Sequence, residues 1–215
     1  MEKQFTEHLS GLRKNYSRSS LDVSNVKDSP FEQFRTWFQE AQDGGIIEPN
    51  AMTLASVNHE FRVSARIVLL KGIEDGSFIF YTNYESRKAQ DLQINPHAAL
   101  LFFWDRLERQ VRIEGRVEKV NETSNVEYFN SRPLESKIGA IVSKQSERIP
   151  SREYLEDKFE EISKKSELIQ KPENWGGYKV IPSYFEYWQG RESRLHDRIV
   201  YENISGQWER YRLSP

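Results

Sequence analysis

The sequence contains no cysteine, which excludes disulfides, thiolate nucleophiles and thiolate metal ligands together. Histidine is scarce: His8, His59, His97 and His196 are scattered without metal-ligand spacing, so no catalytic metal is expected. No charge of one sign dominates. The 31 Lys+Arg face 33 Asp+Glu for a net charge of −2, whereas a dedicated polyanion binder normally carries a basic excess. Nucleic acid is therefore not an expected partner. Long apolar runs are missing as well. The longest, AALLFFW at 98–104, is far too short to cross a bilayer, and the opening MEKQFTEHLSGLRKNY lacks the apolar stretch of a signal peptide. A cytoplasmic protein with no membrane partner is the expectation. G-x-G-x-x-G, G-x-x-x-x-G-K-[ST] and G-x-S-x-G are all absent, which leaves dinucleotide, P-loop and serine-hydrolase readings without support.

Aromatic residues are what the chain has in quantity. They make up 13% of its 215 residues and help a hydrophobic content of only 37% to close a core. Residues 1–29 are polar, show no steady period and are expected to form an arm that is either mobile or docked late; residues 30–215 are expected to form a single α+β domain. Ser29 and Pro30 open a helix with an apolar stripe at Phe31, Phe34, Trp37 and Phe38, stopped by Gly44-Gly45. Segments 51–58, 61–71, 77–83, 98–104 and 109–120 read as strands, with a helix at 86–95. Helices at 123–130, 134–143 and 151–168 precede strands near 178–189, 197–203 and 207–213. Short turns favour an antiparallel sheet, and the strand number favours closure into a barrel with helices outside.

Four clusters are candidates for chemistry. In RIVLLK, Arg66 and Lys71 bracket four aliphatic residues. On this stretch alone, a buried strand with solvated ends is favoured over a site. Strict alternation puts the two cations on opposite faces, so a common site requires a bulge, the strand end or a second subunit. In YTNYESRKAQ (81–90), Ser86 stands at an N-cap position before Arg87 and Lys88. Two cations in a first turn oppose the helix dipole unless a phosphate binds there and offsets both; a solvated turn is the alternative. Tyr128, Arg132 and Ser136 recur every four residues, and Pro133 leaves Arg132 at a junction. Spacing alone reads that junction as an exposed corner. The fourth cluster, WQGRESRLHDR (188–198), sets Arg191, Arg194, His196 and Arg198 in a connection between strands, where binding residues often sit. Two phosphate-friendly clusters and an Arg/His loop suit a cofactor and a substrate that each carry a phosphate.

RIVLLK, FYTNYESRKAQDL, the NP before an aromatic strand, LERQVRIEG, YFNSRP…SKIGAIVSKQS and EYWQGRESRLHDR…W…RLSP closely resemble the pyridoxine/pyridoxamine 5′-phosphate oxidases. The resemblance covers residues 30–215, with a weaker match at LRKNY (12–16). It implies an antiparallel FMN-binding split β-barrel with surrounding helices, working as a homodimer that holds two non-covalent FMN molecules at its interface. It further implies FMN contacts from Arg66, Ile67, Val68, Leu69, Leu70, Lys71, Tyr81, Thr82, Arg87, Lys88, Gln110, Gln145, Ser146, Trp188 and Arg198. Substrate contacts are implied for Arg13, Lys14, Asn15, Tyr16, Lys71, Tyr128, Arg132, Ser136, Arg194, Leu195 and His196. Arg194 and His196 are the implied catalytic pair, and Arg191 is expected to be a solvated surface residue. The implied reaction oxidises pyridoxamine or pyridoxine 5′-phosphate with O2 to pyridoxal 5′-phosphate and H2O2. Relatives acting on another ring, such as a phenazine precursor, share the barrel but tend to lose the substrate-phosphate residues; Tyr128, Arg132 and Ser136 are intact here.

Overall fold

The computed structural model describes residues 2–12, 15–165 and 169–215. The described residues form six α-helices and nine strands: α1 (Glu2–Gly11), α2 (Pro30–Asp43), β1 (Ala51–Val57), β2 (Val63–Leu69), β3 (Gly72–Glu74), β4 (Ser77–Asn83), α3 (Arg87–Ile94), β5 (His97–Trp104), β6 (Arg109–Lys119), α4 (Glu122–Ser131), α5 (Leu134–Val142), α6 (Arg152–Ser163), β7 (Trp175–Gln189), β8 (Asp197–Ile204) and β9 (Gln207–Leu213). Pairing runs in the order β2-β1-β5-β6-β7-β4-β3, with β8 on β7 and β9 on β8. The path is open, ending on β2 and β3. The fold is α+β with an antiparallel sheet.

Two compact units share this chain. One comprises Met1–Pro49, Phe102–Arg112 and Tyr184–Pro215; the other comprises Asn50–Leu101 and Ile113–Ser183. The first is built around α2. Ser29 is extended and Pro30 occupies the start of the helix, as its fixed φ favours. Phe34, Trp37 and Ala41 face inward, with Phe34 5.1 Å from Phe102 and Trp37 5.2 Å from Tyr187, centroid to centroid. The buried phenols are satisfied: Tyr187 donates to the Pro30 carbonyl at 2.6 Å and Tyr201 to the Lys27 carbonyl at 2.5 Å.

In the second unit β1 alternates between half-buried and buried, pointing Met52, Leu54 and Ser56 inward. Phe78, Phe80, Leu100, Ile113 and Val180 complete its core. Asp75 and Gly76 both have positive φ, 47° and 69°, and turn β3 back onto β4 in the manner of a primed hairpin turn. Gly115 lies where β6 and β7 approach closely: a Cβ there would stand 2.2 Å from the Ile181 carbonyl oxygen.

Several boundaries differ from the sequence reading; β7, for one, begins at Trp175 rather than 178. Within the residues read as an arm, 2–11 form a helix; its Phe5 and Leu9 and the following Leu12 are 63%, 49% and 64% exposed, and three apolar residues in a polar stretch gave little period. The segment read as one strand at 61–71 begins two residues later, because Phe61 turns with φ 59°. It ends at Leu69 and is followed by the separate three-residue strand β3. The last predicted helix ends at Ser163 rather than 168, and residues 166–168 lie outside the described ones.

Gly115→Ala should destabilise the protein by roughly 2 kcal/mol through overpacking, because the neighbour is backbone and cannot swing aside. Thermal denaturation should show Tm lowered by about 4–8 °C for a chain of this size.

Candidate functional site

The second unit contains a cavity of about 940 Å³ whose wall draws on β2, β4, α3, α4, α5 and the loop after α5. Arg66, Ile67, Val68, Leu69, Lys71, Tyr81, Thr82, Arg87, Lys88, Tyr128, Arg132, Ser136, Gln145 and Ser146 all line it. Leu70, the remaining member of the RIVLLK run, is buried at 8% exposure and is not in the wall. Because β2 stops at Leu69, alternation no longer governs the next two residues, and Arg66 and Lys71 reach the same cavity. The strand end supplies the break that strict alternation demanded.

Among the described residues, five cations therefore line this wall and no carboxylate does. Each is held differently. Arg66 donates from Nη1 to the Leu54 carbonyl at 3.1 Å and to Ser56 Oγ at 2.7 Å, and from Nη2 to Ser64 Oγ. Behind it the buried Asp91 carboxylate stands 3.9 Å from Nη2 and accepts from both serines, at 2.7 and 3.2 Å. Lys88 is only 8% exposed. Its Nζ donates to Gln145 Oε1 at 2.9 Å, Thr82 Oγ1 at 3.1 Å and Ser86 Oγ at 3.4 Å, all of them neutral acceptors. Burial, and secondarily the charge of Arg66, pushes the Lys88 ammonium down to about 8. Ser86 occupies the N-cap position of α3, but its hydroxyl donates to the Asn83 carbonyl at 2.7 Å instead of capping the helix. The exposed Arg87 sends its N–H to Ser146 Oγ at 3.2 Å.

Arg132 closes the far side. It follows α4 in extended conformation, with its guanidinium carbon 4.7 Å from the Trp175 ring centroid, a cation–π distance. Tyr81 and Tyr128 stack with centroids 3.8 Å apart, and Trp175 lies parallel to Tyr81 at 5.3 Å. Burial lifts the Tyr81 phenol to about 12 and raises Tyr128 too, so both remain protonated donors at neutral pH. Arg132 Nη1 is buried and has no hydrogen-bond partner. A cation-lined cavity, with a guanidinium donor in one of its wall residues that no described residue satisfies, matches a multivalent anion.

The other predicted residues belong to the first unit. Trp188, the penultimate residue of β7, stands opposite Arg198 on β8. Arg198 forks onto the buried Glu186, with Nε to Oε1 and Nη2 to Oε2 both at 2.9 Å, and its Nη1 donates to the Ser214 carbonyl at 2.9 Å. Burial pushes the Glu186 carboxyl up, but Arg198 and Arg112 outweigh it and hold the group below its ordinary value. Gln110 is half-buried on β6.

The connection between β7 and β8 turns through two consecutive left-handed residues, Ser193 (φ 55°) and Arg194 (φ 61°), an uncommon conformation for side chains of this kind. It leaves Arg194 and Leu195 exposed. His196 packs 4.6 Å from the Trp188 ring, and its Nδ1 accepts from the Arg191 backbone N–H at 3.1 Å. That bond assigns the proton to Nε2. Burial and then the Arg194 charge lower the His196 pKa against the pull of Asp197, which favours the neutral ring. Arg191 is not freely solvated as expected: its guanidinium pairs with Asp197 at 3.4 Å and is 40% exposed. Asn15 and Tyr16 line a smaller cavity with Trp188, Arg194 and His196; Arg13 and Lys14 lie outside the described residues.

Several site residues escaped the sequence reading. Trp175, Asp91, Ser56 and Ser64 carry no local motif, because their partners stand in other elements. Only the NWGG punctuation before β7 marks Trp175 at all.

Comparison with known proteins places these features. A family model described as pyridoxamine 5′-phosphate oxidase matches residues 38–166. A second, described as the pyridoxine 5′-phosphate oxidase C-terminal dimerisation region, matches 175–215. The chain is 50% identical over 210 residues to a pyridoxine/pyridoxamine 5′-phosphate oxidase of Leptospira interrogans, covering 96% of this chain and 98% of that one. It is 53% identical over 211 residues to a protein of the same name from Burkholderia mallei, covering 96% and 99%. Among solved structures, PhzG from Burkholderia lata, in complex with tetrahydrophenazine-1-carboxylic acid, superposes with a TM-score of 0.86 at 27% identity over 92% of this chain and all of that one. A pyridoxamine 5′-phosphate oxidase-related, FMN-binding protein from Nostoc punctiforme shares the split-barrel fold at a TM-score of 0.71 and 15% identity, over 88% of this chain and all of that one.

The buried ammonium makes a testable pH signature. Lys88 titrates near 8 when folded against an ordinary value of 10.5, so the unfolded chain binds more protons between those values. Burying the charge therefore costs stability below pH 8, and the cost is relieved as pH rises through the window. Lys88→Met should gain most relative to the wild type at pH 7 and lose that advantage towards pH 10. The Tm difference between the two ligand-free proteins should change by at least about 2 °C across the window.

Proposed function

The chain belongs to the pyridoxamine 5′-phosphate oxidase family, and we propose that it is an FMN-dependent oxidase converting pyridoxamine or pyridoxine 5′-phosphate to pyridoxal 5′-phosphate. The observation that carries this reading is the cavity with five cations, no lining carboxylate and an orphaned Arg132 donor. Such a wall suits two phosphates, one on FMN and one on substrate. Arg66, Arg87 and Lys88 would hold the FMN phosphate, with Thr82, Gln145 and Ser146 beside it. Lys71, Tyr128, Arg132 and Ser136, which line one cavity, would hold the substrate phosphate. The match to a dimerisation region supports a homodimer, and we place two FMN molecules at its interface, where residues of both copies can reach each one.

When bound, FMN supplies the two-electron acceptor for the hydride leaving C4′ of the substrate and returns the electrons to O2 as H2O2. With the amine substrate, water releases ammonia from the oxidised carbon; with the alcohol, the hydroxyl proton departs. The protein contributes position and charge. Arg198, immobilised by Glu186 and the Ser214 carbonyl, presents a fixed cation beside Trp188 for the flavin. Arg194 orients the substrate. His196, neutral and protonated on Nε2, offers a hydrogen-bond donor; the Arg191 N–H occupies the lone pair on Nδ1.

The likeness to PhzG favours one rival, a flavin oxidase acting on a reduced phenazine. The substrate-phosphate set argues against it. Purified holoprotein given pyridoxamine 5′-phosphate and O2 should yield pyridoxal 5′-phosphate and H2O2; turnover of a reduced phenazine carboxylate alone would favour the rival.

Two substitutions four residues apart should separate. Arg194→Ala should retain FMN and lower kcat/KM on the order of a hundredfold, equivalent to about 2.7 kcal/mol of transition-state stabilisation. Arg198→Ala should lose FMN, recover part of its activity with excess FMN, and lower Tm because Glu186 loses a two-bond cationic partner and keeps Arg112. Flavin content measured beside steady-state rate decides; a reversed pattern would exchange the two roles.

A further inference from the structure

Glu108 follows a short 3-10 turn and precedes β6 in left-handed conformation, φ 56°. Its side chain is buried at 6% exposure. Oε2 accepts from two successive backbone N–H groups, Ser17 at 3.1 Å and Arg18 at 3.2 Å, which lie 91 and 90 residues earlier in the chain. Arg18 Nη1 adds a bond to the neighbouring Arg106 carbonyl at 2.6 Å. The Glu108 carbonyl meanwhile accepts from the Gly190 N–H at 2.7 Å and from Gln189 Nε2 at 3.3 Å. One residue thus fastens the N-terminal arm to the strand end from which the Arg194–His196 loop departs.

What the fastening positions is Tyr16, the residue just before Ser17. Its ring stands edge-on to Trp188 and to His196, each at 5.7 Å between centroids. The seat is tight: a Cβ at position 190 would come within 2.7 Å of Tyr16 Cγ, so only glycine fits beneath the ring. Asp197 makes a second tie, accepting from the Leu21 N–H at 3.0 Å, but that carboxylate also serves Arg191 and Arg212. Carboxylate bonds to backbone N–H groups are charge-assisted and stronger than neutral ones. They grip the main chain, whichever side chains the arm carries.

We infer that Glu108 is a positioning residue whose carboxylate holds the arm so that Tyr16 covers Trp188 and His196. This rests on the oxidase reading, which puts Tyr16, Arg194 and His196 at the substrate. Glu108 itself touches neither substrate nor flavin, so its loss acts through the arm.

The test uses the FMN-loaded protein with Glu108→Ala and the isosteric Glu108→Gln, the latter retaining one acceptor and the buried shape. Hydrogen exchange read by mass spectrometry on a peptide spanning residues 15–20 reports the anchor directly. Exchange at Ser17 and Arg18 should accelerate about tenfold or more in the Ala variant and by less in the Gln variant, as expected for losing or weakening bonds to a charged acceptor. FMN affinity should stay within about twofold of the wild type, while KM for pyridoxamine 5′-phosphate rises about tenfold and kcat changes far less, the pattern of lost binding rather than lost chemistry. If the Ala variant fails to fold, the Gln variant carries the comparison. Unchanged exchange overturns the anchor, and accelerated exchange with an unchanged KM overturns its role in covering the substrate. A wild-type protein that leaves pyridoxamine 5′-phosphate unoxidised sinks the oxidase reading instead, with the exchange result still deciding the anchor.

Discussion

Like charges gathered in one hollow repel one another, and the architecture around the cavity is arranged to tolerate that repulsion until an anion relieves it. Two unit charges 4 Å apart interact by about 4 kcal/mol at the effective dielectric of a protein surface. The five lining cations therefore cannot be packed side by side without support. Arg66 gets support from Asp91 through two serines, placed behind the wall where the carboxylate cannot neutralise the cavity itself. Lys88 is surrounded by neutral acceptors, which satisfy its three protons yet leave its charge uncancelled. Arg132 rests on the Trp175 face, whose quadrupole attracts a cation without offering it a proton acceptor. In each case the positive charge is stabilised and left available.

Strands and helices were largely legible because their signals are local. Ser29-Pro30 and Gly44-Gly45 bracket α2, and the aromatic and β-branched runs fall on β1, β4, β5, β6 and β8. The misread pieces are those in which a few residues decide. A single left-handed Phe61 moved the start of β2, and the break at Leu70 ended it two residues before the end of the run that composition reads as one strand, with the unforeseen β3 following. The candidate site divides in the same way. Cations in dense motifs, such as Arg87-Lys88 and Arg194-x-His196, draw attention on their own. Their supports do not. Asp91 looks like any polar residue on a helix, Glu108 like a surface charge in a turn, and Glu186 like the polar member of an aromatic strand. Each is buried because of partners from distant segments, and sequence spacing carries no trace of that.

The division of the chain has a consequence for its birth on the ribosome. One unit takes its residues from 50–101 and 113–183, whereas the other joins 1–49 and 102–112 to 184–215, segments far apart in sequence. The Tyr201 hydroxyl that bonds the Lys27 carbonyl reaches across 174 positions of sequence. Closing so long a loop is entropically expensive and slow compared with local contacts. During synthesis α2 must wait, its aromatic stripe unshielded, until the final strands emerge from the exit tunnel. The half containing Trp188 and Arg198 is therefore the last to assemble, so a truncated product lacking the terminal strands cannot complete it even when the cation-lined cavity has already formed.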